Sequence, residues 1–131
     1  LDPKDAYPHN GIGSVYQLMG EHEKALRAYQ KAVELAPERG MYRVSLVGIL
    51  RKLGREEEAQ AQIEIARPLM AKESEYNRAC FESICGNVEE ALRLLQIALE
   101  KKQVSLEWAR RDPDFDNLRQ DARFRALVGL E

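Results

Sequence analysis

The chain has 131 residues, of which 44% are hydrophobic and 32% are charged, a composition typical of a folded globular protein. Its 20 basic and 22 acidic residues are interspersed rather than grouped, which argues against a dedicated nucleic-acid surface. No apolar run approaches the roughly 18 to 20 residues that cross a bilayer, and no signal-peptide pattern opens the chain, so a cytoplasmic setting is expected.

The region from Tyr7 to Pro37 contains two short helical patterns joined by a tight turn. The first helix is expected near Tyr7–Met19 and the second near His22–Leu35, with Gly20 in the turn. The second helix carries one apolar stripe, and it should end at Pro37 because proline cannot continue the hydrogen-bond ladder.

Three small residues of this region recur at a nearly fixed period. They return 34 residues later and again 32 residues after that, in the sets Gly20, Ala25, Ala32, then Gly54, Ala59, Ala66, then Gly86, Ala91, Ala98. Small residues at fixed offsets and a period near 34 indicate stacked helix-turn-helix units. The chain is therefore divided into repeat 1 (residues 6–39), repeat 2 (40–71), repeat 3 (72–103) and a C-terminal tail (104–131).

The repeated small residues have a steric explanation. Gly13 and the alanines allow two helix backbones to approach closely, while larger side chains fill the space around them, namely Ile12, Tyr16 and Tyr29. One helix pair cannot bury its apolar stripe alone, so each repeat should pack on its neighbours.

Repeats 2 and 3 depart from this pattern at particular positions. Repeat 2 has Val47 where repeat 1 has Gly13, and Pro68 should stop or kink its second helix near Arg67. The first helix of repeat 3 is degenerate, because its apolar side shifts to Tyr76, Cys80, Phe81 and Ile84. Degeneracy near the end of an array is typical of a capping repeat.

The tail has its own helix signals. A short helix is expected at Leu106–Arg110, the Asp112-Pro113 pair is typical of a helix start, and Asp121 is placed to cap a last helix. Four large side chains are expected to pack as a cap on the last repeat rather than to form a ligand site: Trp108, Phe115, Leu118 and Phe124.

Repeat 1 resembles the tetratricopeptide repeat. The resemblance rests on residues at the family's signature offsets, of which only His9 departs from type: His9, Ile12, Gly13, Tyr16, Ala25, Tyr29 and Pro37. It implies an all-α chain, an α–α superhelix of about three repeats with a helical C-terminal cap. The segment from Tyr76 through the tail is similar to the C-terminal ends of bacterial members. Residues 1–5 are expected to end a preceding repeat, because Pro3 lies 34 residues before Pro37, so a longer parent protein is expected.

The resemblance also implies a function, which is non-catalytic binding of a peptide or a partner domain in a concave groove lined by the first helix of each repeat. Carried over by position, the groove residues are Tyr7, Asn10, Ser14 and Gln17 in repeat 1, Met41, Val44, Ser45, Arg51 and Lys52 in repeat 2, and Tyr76, Asn77 and Ser83 in repeat 3. Some members clamp the terminal carboxylate of a chaperone with cations. The matching positions here, Asn10, Ser14, Glu73 and Asn77, carry none, which disfavours that partner.

Two alternatives remain open. The chain could be the regulatory C-terminal region of a larger bacterial signalling enzyme, such as a kinase or nucleotide cyclase. It could also be a self-assembly module that forms a homo-oligomer through its N-terminal end.

Other chemistry is disfavoured by the residues themselves. Asp112, Asp114 and Asp116 begin like a calcium loop, but Asn117 and Arg123 replace the glycine and glutamate that such a loop needs. Two cysteines five residues apart on one helix are expected to be reduced thiols, and no nucleophile is paired with a base. No catalytic residue, metal ligand or cofactor is therefore predicted.

Overall fold

The computed structural model describes residues 5–130, and within that range the regular structure is entirely helical. In chain order the elements are α1 (Ala6–Leu18), α2 (His22–Leu35), α3 (Gly40–Lys52), α4 (Glu56–Met70), α5 (Glu75–Cys85), α6 (Val88–Glu100), α7 (Leu106–Arg111), a 3-10 helix (Pro113–Leu118) and α8 (Ala122–Leu127). Consecutive helices pack in pairs, α1 with α2, α3 with α4 and α5 with α6. The predicted fold class, an all-α chain of the α–α superhelix type, is confirmed.

The chain forms two compact units, which are described separately: an N-terminal unit that ends at Met70 and a C-terminal unit that begins at Ala71. The preceding repeat that the sequence suggests at residues 1–5 lies outside the described residues except for Asp5. That residue caps α1, because its carboxylate accepts the backbone N–H of Tyr7 at 3.1 Å.

The first helix pair depends on a close approach at Gly13. A methyl group placed on Gly13 would lie 2.6 Å from two ring carbons of Tyr29, which is itself only 2% exposed. Ala25 and Ala32 of α2 are fully buried in the same unit. The steric role predicted for the small residues is therefore confirmed for this pair, and no larger side chain fits at Gly13 without displacing the tyrosine.

The same backbone turn ends the first helix of every pair. Gly20, Gly54 and Gly86 have φ angles of +78°, +75° and +88°, a conformation that glycine adopts at little cost. At Gly20 the turn is fixed by two backbone hydrogen bonds, from the N–H of Gly20 to the carbonyl of Gln17 and from Glu21 to Tyr16. The repeated glycines thus encode three identical turns.

Helix α4 differs from the prediction, because it continues through Pro68 to Met70. Of the two predicted outcomes, the stop near Arg67 is wrong, and the kink there stays a prediction. A proline three residues from the helix end removes one hydrogen bond only, and Met70, which is 2% exposed, packs against Gly40 and helps to hold the last turn.

The C-terminal unit owes much of its core to the tail (residues 104–130). Phe115, Leu118, Phe124 and Val128 are fully buried and pack with side chains of α5 and α6 in one cluster. The predicted caps form as expected, since the carboxylates of Asp112 and Asp121 accept the backbone N–H groups of Asp114 and Arg123. The tail therefore closes this unit, as the sequence suggests.

Two large side chains were assigned to packing incorrectly. Ile12 is 46% exposed, so it does not fill the space beside the first helix pair. Trp108 is 47% exposed, whereas the next residue, Ala109, is fully buried. Helix α7 thus turns its alanine inward, and the tryptophan is not part of the cap.

Two contacts at the end of α6 bind it to the start of α5. Lys101 lies 2.7 Å from one carboxylate oxygen of Glu75, and the amide of Gln103 donates to the other oxygen at 2.7 Å. These donors favour the ionised form and hold the pKa of Glu75 down at about 2. Lys101 and Gln103 thus join the end of α6 to the start of α5 through polar contacts with Glu75.

Candidate functional site

The groove residues predicted on α1 fall into two groups. Tyr7 is 75% exposed and is free to contact another molecule. Asn10 and Gln17 are half-buried and Ser14 is exposed, but the hydroxyl of Tyr29 donates to Gln17 at 2.8 Å and lies 3.3 Å from the Ser14 hydroxyl. Part of this polar set therefore stabilises the helix pair itself.

The groove residues predicted on α3 are also unequal. Lys52 is exposed, while Met41, Ser45 and Arg51 are half-buried. Arg51 forms an ion pair with Glu56 at 2.9 Å. Val44 is only 1% exposed, so its side chain offers almost no surface to a ligand. Lys52 is the most accessible cation of the predicted set.

In the C-terminal unit the predicted residues are largely engaged already. Tyr76 is half-buried, its hydroxyl donates to Asp112, and its ring meets that of Phe115 edge-on with the centroids 5.7 Å apart. The amide of Asn77 donates to Glu73 at 2.9 Å, and Ser83 is fully buried. On this unit, therefore, Tyr76 and Asn77 are both half-buried and hydrogen-bonded, and Ser83 offers no surface to a ligand.

Helix α1 and the residue that caps it expose an unusual amount of apolar surface. Among the described residues, five of the eight large apolar side chains that are exposed belong to this segment, namely Tyr7, Ile12, Val15, Leu18 and Met19. Single exposed apolar residues are ordinary, but a concentration on one helix indicates a contact surface. From the sequence only Tyr7 is predicted to bind, because the helical pattern assigns Ile12 to packing and gives the other three no role.

A second arrangement lies inside the C-terminal unit, where α5 meets the tail. The thiol of Cys80 and carboxylate oxygens of Asp112 and Asp114 all lie within 4.8 Å of one another. These are metal-binding residue types, but both oxygens of Asp112 already accept hydrogen bonds, from Tyr76 and Cys80 at one and from the backbone of Asp114 at the other. Hydrogen bonds therefore account for the positions of these side chains without a metal ion, and the three residues are not assigned as metal ligands.

The surroundings of Asp114, Cys80 and Tyr76 raise the pKa values of these three side chains. Burial and the neighbouring Asp112 raise the pKa of the Asp114 carboxyl to about 7. Burial also raises the pKa of the Cys80 thiol and of the Tyr76 phenol. The sequence analysis considered the aspartates only as a calcium loop, since no local signal shows that Cys80, 32 residues earlier, lies beside them.

Both cysteines are reduced thiols, Cys80 buried and Cys85 half-buried, as expected from their spacing. Over the part of the chain that the structure describes, no helix is at once long and apolar enough to span a membrane.

The fold defines a class of protein, that of helix-pair repeats with glycine turns and small residues at the helix contacts. Residues 6–39 match the family model described as "Tetratricopeptide repeat". A "TPR repeat-containing protein" of Treponema pallidum (strain Nichols) is 36% identical over 72 residues, which are 54% of this chain and 9% of that relative. Repeat 1 of this chain is thus similar to the tetratricopeptide repeat, and the chain is similar to part of a protein that carries such repeats.

Repeats of this family generally mediate protein–protein interaction and are generally non-catalytic. Protein binding is therefore the general function associated with repeats of this kind. The match covers only a small part of the relative's length, so the activity of any larger protein is a separate question.

Proposed function

We propose that the chain binds an extended peptide or a segment of a partner protein on the side of the N-terminal unit formed by α1 and α3. The observation that supports this most directly is the 75% exposure of Tyr7 in the first turn of α1. Exposed tyrosine is a frequent anchor in protein interfaces, because its large ring loses little conformational entropy when it is buried.

Other residues of the proposed surface suit a peptide backbone with an acidic side chain. Asn10 is half-buried, and its amide nitrogen is a group that can donate a hydrogen bond to a peptide carbonyl. Lys52 is exposed, whereas Arg51 is already paired with Glu56, so Lys52 is the cation available to a ligand carboxylate. Val44 and Ser83 are left out of the proposed surface because they are buried.

The proposal can be tested by selecting peptides from a displayed library on the immobilised chain and measuring their affinities by fluorescence anisotropy. The test variant is Tyr7→Ala with Lys52→Glu. The matched control is Ile65→Ala with Arg27→Glu, which makes the same kinds of change at exposed positions on α4 and α2. The first should weaken binding at least about tenfold, equal to roughly 1.4 kcal/mol, and the control should bind like the parent chain.

Equal affinities for parent and test variant would contradict the proposed surface. Loss of binding by the control would move the site to the side formed by α2 and α4. Circular dichroism should show equal helicity for the three proteins, so that a loss of affinity reports the surface and not the fold.

Self-association is a second candidate. It is favoured by the other exposed apolar side chains of α1 and its cap, namely Ile12, Val15, Leu18 and Met19. A second copy could bury them in a symmetric contact. Sedimentation velocity at two concentrations tests this, with Leu18→Glu as the variant expected to stay monomeric. A parent chain that is monomeric at both concentrations would contradict it.

A further inference from the structure

The tail meets α5 at a cluster of four ionisable side chains. Tyr76 and Cys80 come from α5, and Asp112 and Asp114 come from the cap and first turn of the 3-10 helix. Cys80 is 2% exposed and Asp112 is 6% exposed, so water has little access to the centre of the cluster. The cluster therefore sits in the contact that attaches the tail to the C-terminal unit.

The hydrogen bonds distinguish the two carboxyl groups. One oxygen of Asp112 accepts the Tyr76 hydroxyl and faces the Cys80 sulfur at 3.9 Å, and the other accepts the backbone N–H of Asp114 at 3.0 Å. Three donors therefore converge on the Asp112 carboxyl group, and both of its oxygens are engaged.

Asp114 has a different environment. The groups that face it are Asp112 and Asp116 on the tail and the Cys80 thiol on α5, so two of the three carry negative charge. Arg119 lies nearby in the tail, but it donates to the backbone carbonyl of Asp112 at 2.8 Å and to Asp116 at 2.9 Å, not to Asp114. Two close carboxyl groups in a poorly hydrated site do not both ionise readily, so Asp114 favours its protonated form.

We propose that Asp112 and Asp114 form a proton-linked latch, in which one proton held by the carboxyl pair keeps the 3-10 helix against α5 and loss of that proton loosens the tail. The tail carries much of the core of the C-terminal unit, including Phe115 and Phe124. Loosening it would change the stability of that unit without a bound ligand.

The direction of the effect follows from the two protonation states. In the unfolded chain an aspartate loses its proton near pH 4, whereas the burial and charge around Asp114 raise its pKa to about 7 in the folded chain. Between these values the folded chain binds more protons than the unfolded chain, so the free energy of unfolding falls as the pH rises from about 4 to about 7. Above that range this contribution is constant.

The direct test is a pH titration of the side-chain carboxyl carbons of the full chain by NMR, with carbon-13 in its aspartates. We expect one resonance of the Asp112–Asp114 pair to titrate near pH 7, shifted upward by about three pH units from an ordinary aspartate. If both groups titrate below pH 5, the latch does not exist. This measurement uses the unmodified chain, so it does not depend on whether any variant folds.

The second test asks whether the proton controls the tail. Hydrogen exchange, corrected for the intrinsic effect of pH, should show protection falling between pH 5 and 7 in residues 104–130 and staying constant in α1 to α4. Asp114→Asn should remove this dependence, and the matched control Glu107→Gln, at an exposed position of the same tail, should keep it. A pH dependence that survives in the Asp114 variant, or that is as strong in α1 to α4, would overturn the proposal.

Both histidines of the chain, His9 and His22, lie in the N-terminal unit. A readout local to the tail is therefore required, because it separates the proposed effect from any change in the N-terminal unit. A melting temperature alone would mix the two contributions.

Discussion

The two units of the molecule reach a buried core by different routes. In the N-terminal unit, two helix pairs supply the core themselves, and a glycine at position 13 lets α1 approach the ring of Tyr29. In the C-terminal unit, the single pair α5–α6 is completed by a tail that does not repeat, through Phe115, Leu118 and Phe124. The contrast shows that the repeat pattern encodes helix pairs, while the closure of the last pair is encoded separately.

Their surfaces differ in a related way. The N-terminal unit leaves apolar side chains exposed along α1, including Leu18 at 79%. In the C-terminal unit Tyr76, on the first helix of the pair, is held by Asp112 and Phe115 of the tail. A first helix is thus more open to a partner in the first unit than in the second, which is why the proposed binding surface lies on α1 and α3.

The largest effect is expected from removing the tail's central side chain. Phe115→Ala should lower the free energy of unfolding by about 3 to 5 kcal/mol, because the ring is fully buried and its loss leaves a cavity. The matched control Trp108→Ala removes a larger ring from the same tail at a position that is 47% exposed. Trp108→Ala should lower the free energy of unfolding far less than Phe115→Ala does. Chemical denaturation measures both, and equal losses would show that the tail does not close the unit as described.

A smaller effect tests the close approach in the N-terminal unit. Gly13→Ala should lower the stability by about 1 to 3 kcal/mol, because its new methyl group would meet the buried ring of Tyr29. Gly11 lies in the same helix with no atom within 4 Å of the corresponding position, so Gly11→Ala should raise the stability by about 0.5 to 1 kcal/mol. The opposite signs are the prediction, and denaturation midpoints that shift the same way would contradict it.

The smallest effect concerns the turns. After α6, Lys102 adopts a φ of +58° with the same two backbone hydrogen bonds that surround Gly20, from its own N–H to Leu99 and from Gln103 to Ala98. Lys102→Gly should therefore raise the stability by about 1 kcal/mol. The reverse change at an equivalent turn, Gly20→Ala, should lower it by a similar amount. If Lys102→Gly destabilises the chain, the turn is held by more than backbone conformation.

The sequence predicts the repeated part of this fold well because the determinants are local. Helix α2 has the predicted bounds, His22–Leu35, and the glycine turns follow from a conformation that other residues adopt at a cost. Pro68 shows a limit of local reasoning, since a proline near a helix end is tolerated when a buried residue such as Met70 holds the last turn. Orientation was the other weak point, and Ile12 and Trp108 were placed in packing although both are half exposed.

The two candidate sites also differ in whether a local sequence pattern predicts them. Tyr7 and Lys52 were predicted from repeat positions, and their use by a partner remains a proposal. The cluster of four ionisable side chains where the tail meets α5 could not be predicted from the sequence. Tyr76 and Asp112 are 36 residues apart, and no periodic pattern connects them. Only the packing of the tail on α5 brings their side chains together.

Residue-resolved hydrogen exchange on the parent chain and on Phe115→Ala tests most directly the claim that the tail closes the C-terminal unit. The account predicts that amides of α5 and α6 lose protection in the variant, while those of α1 and α2 keep theirs, because the first helix pair has its own core around Tyr29. Equal loss of protection in all four helices, or no loss in α5 and α6, would contradict it.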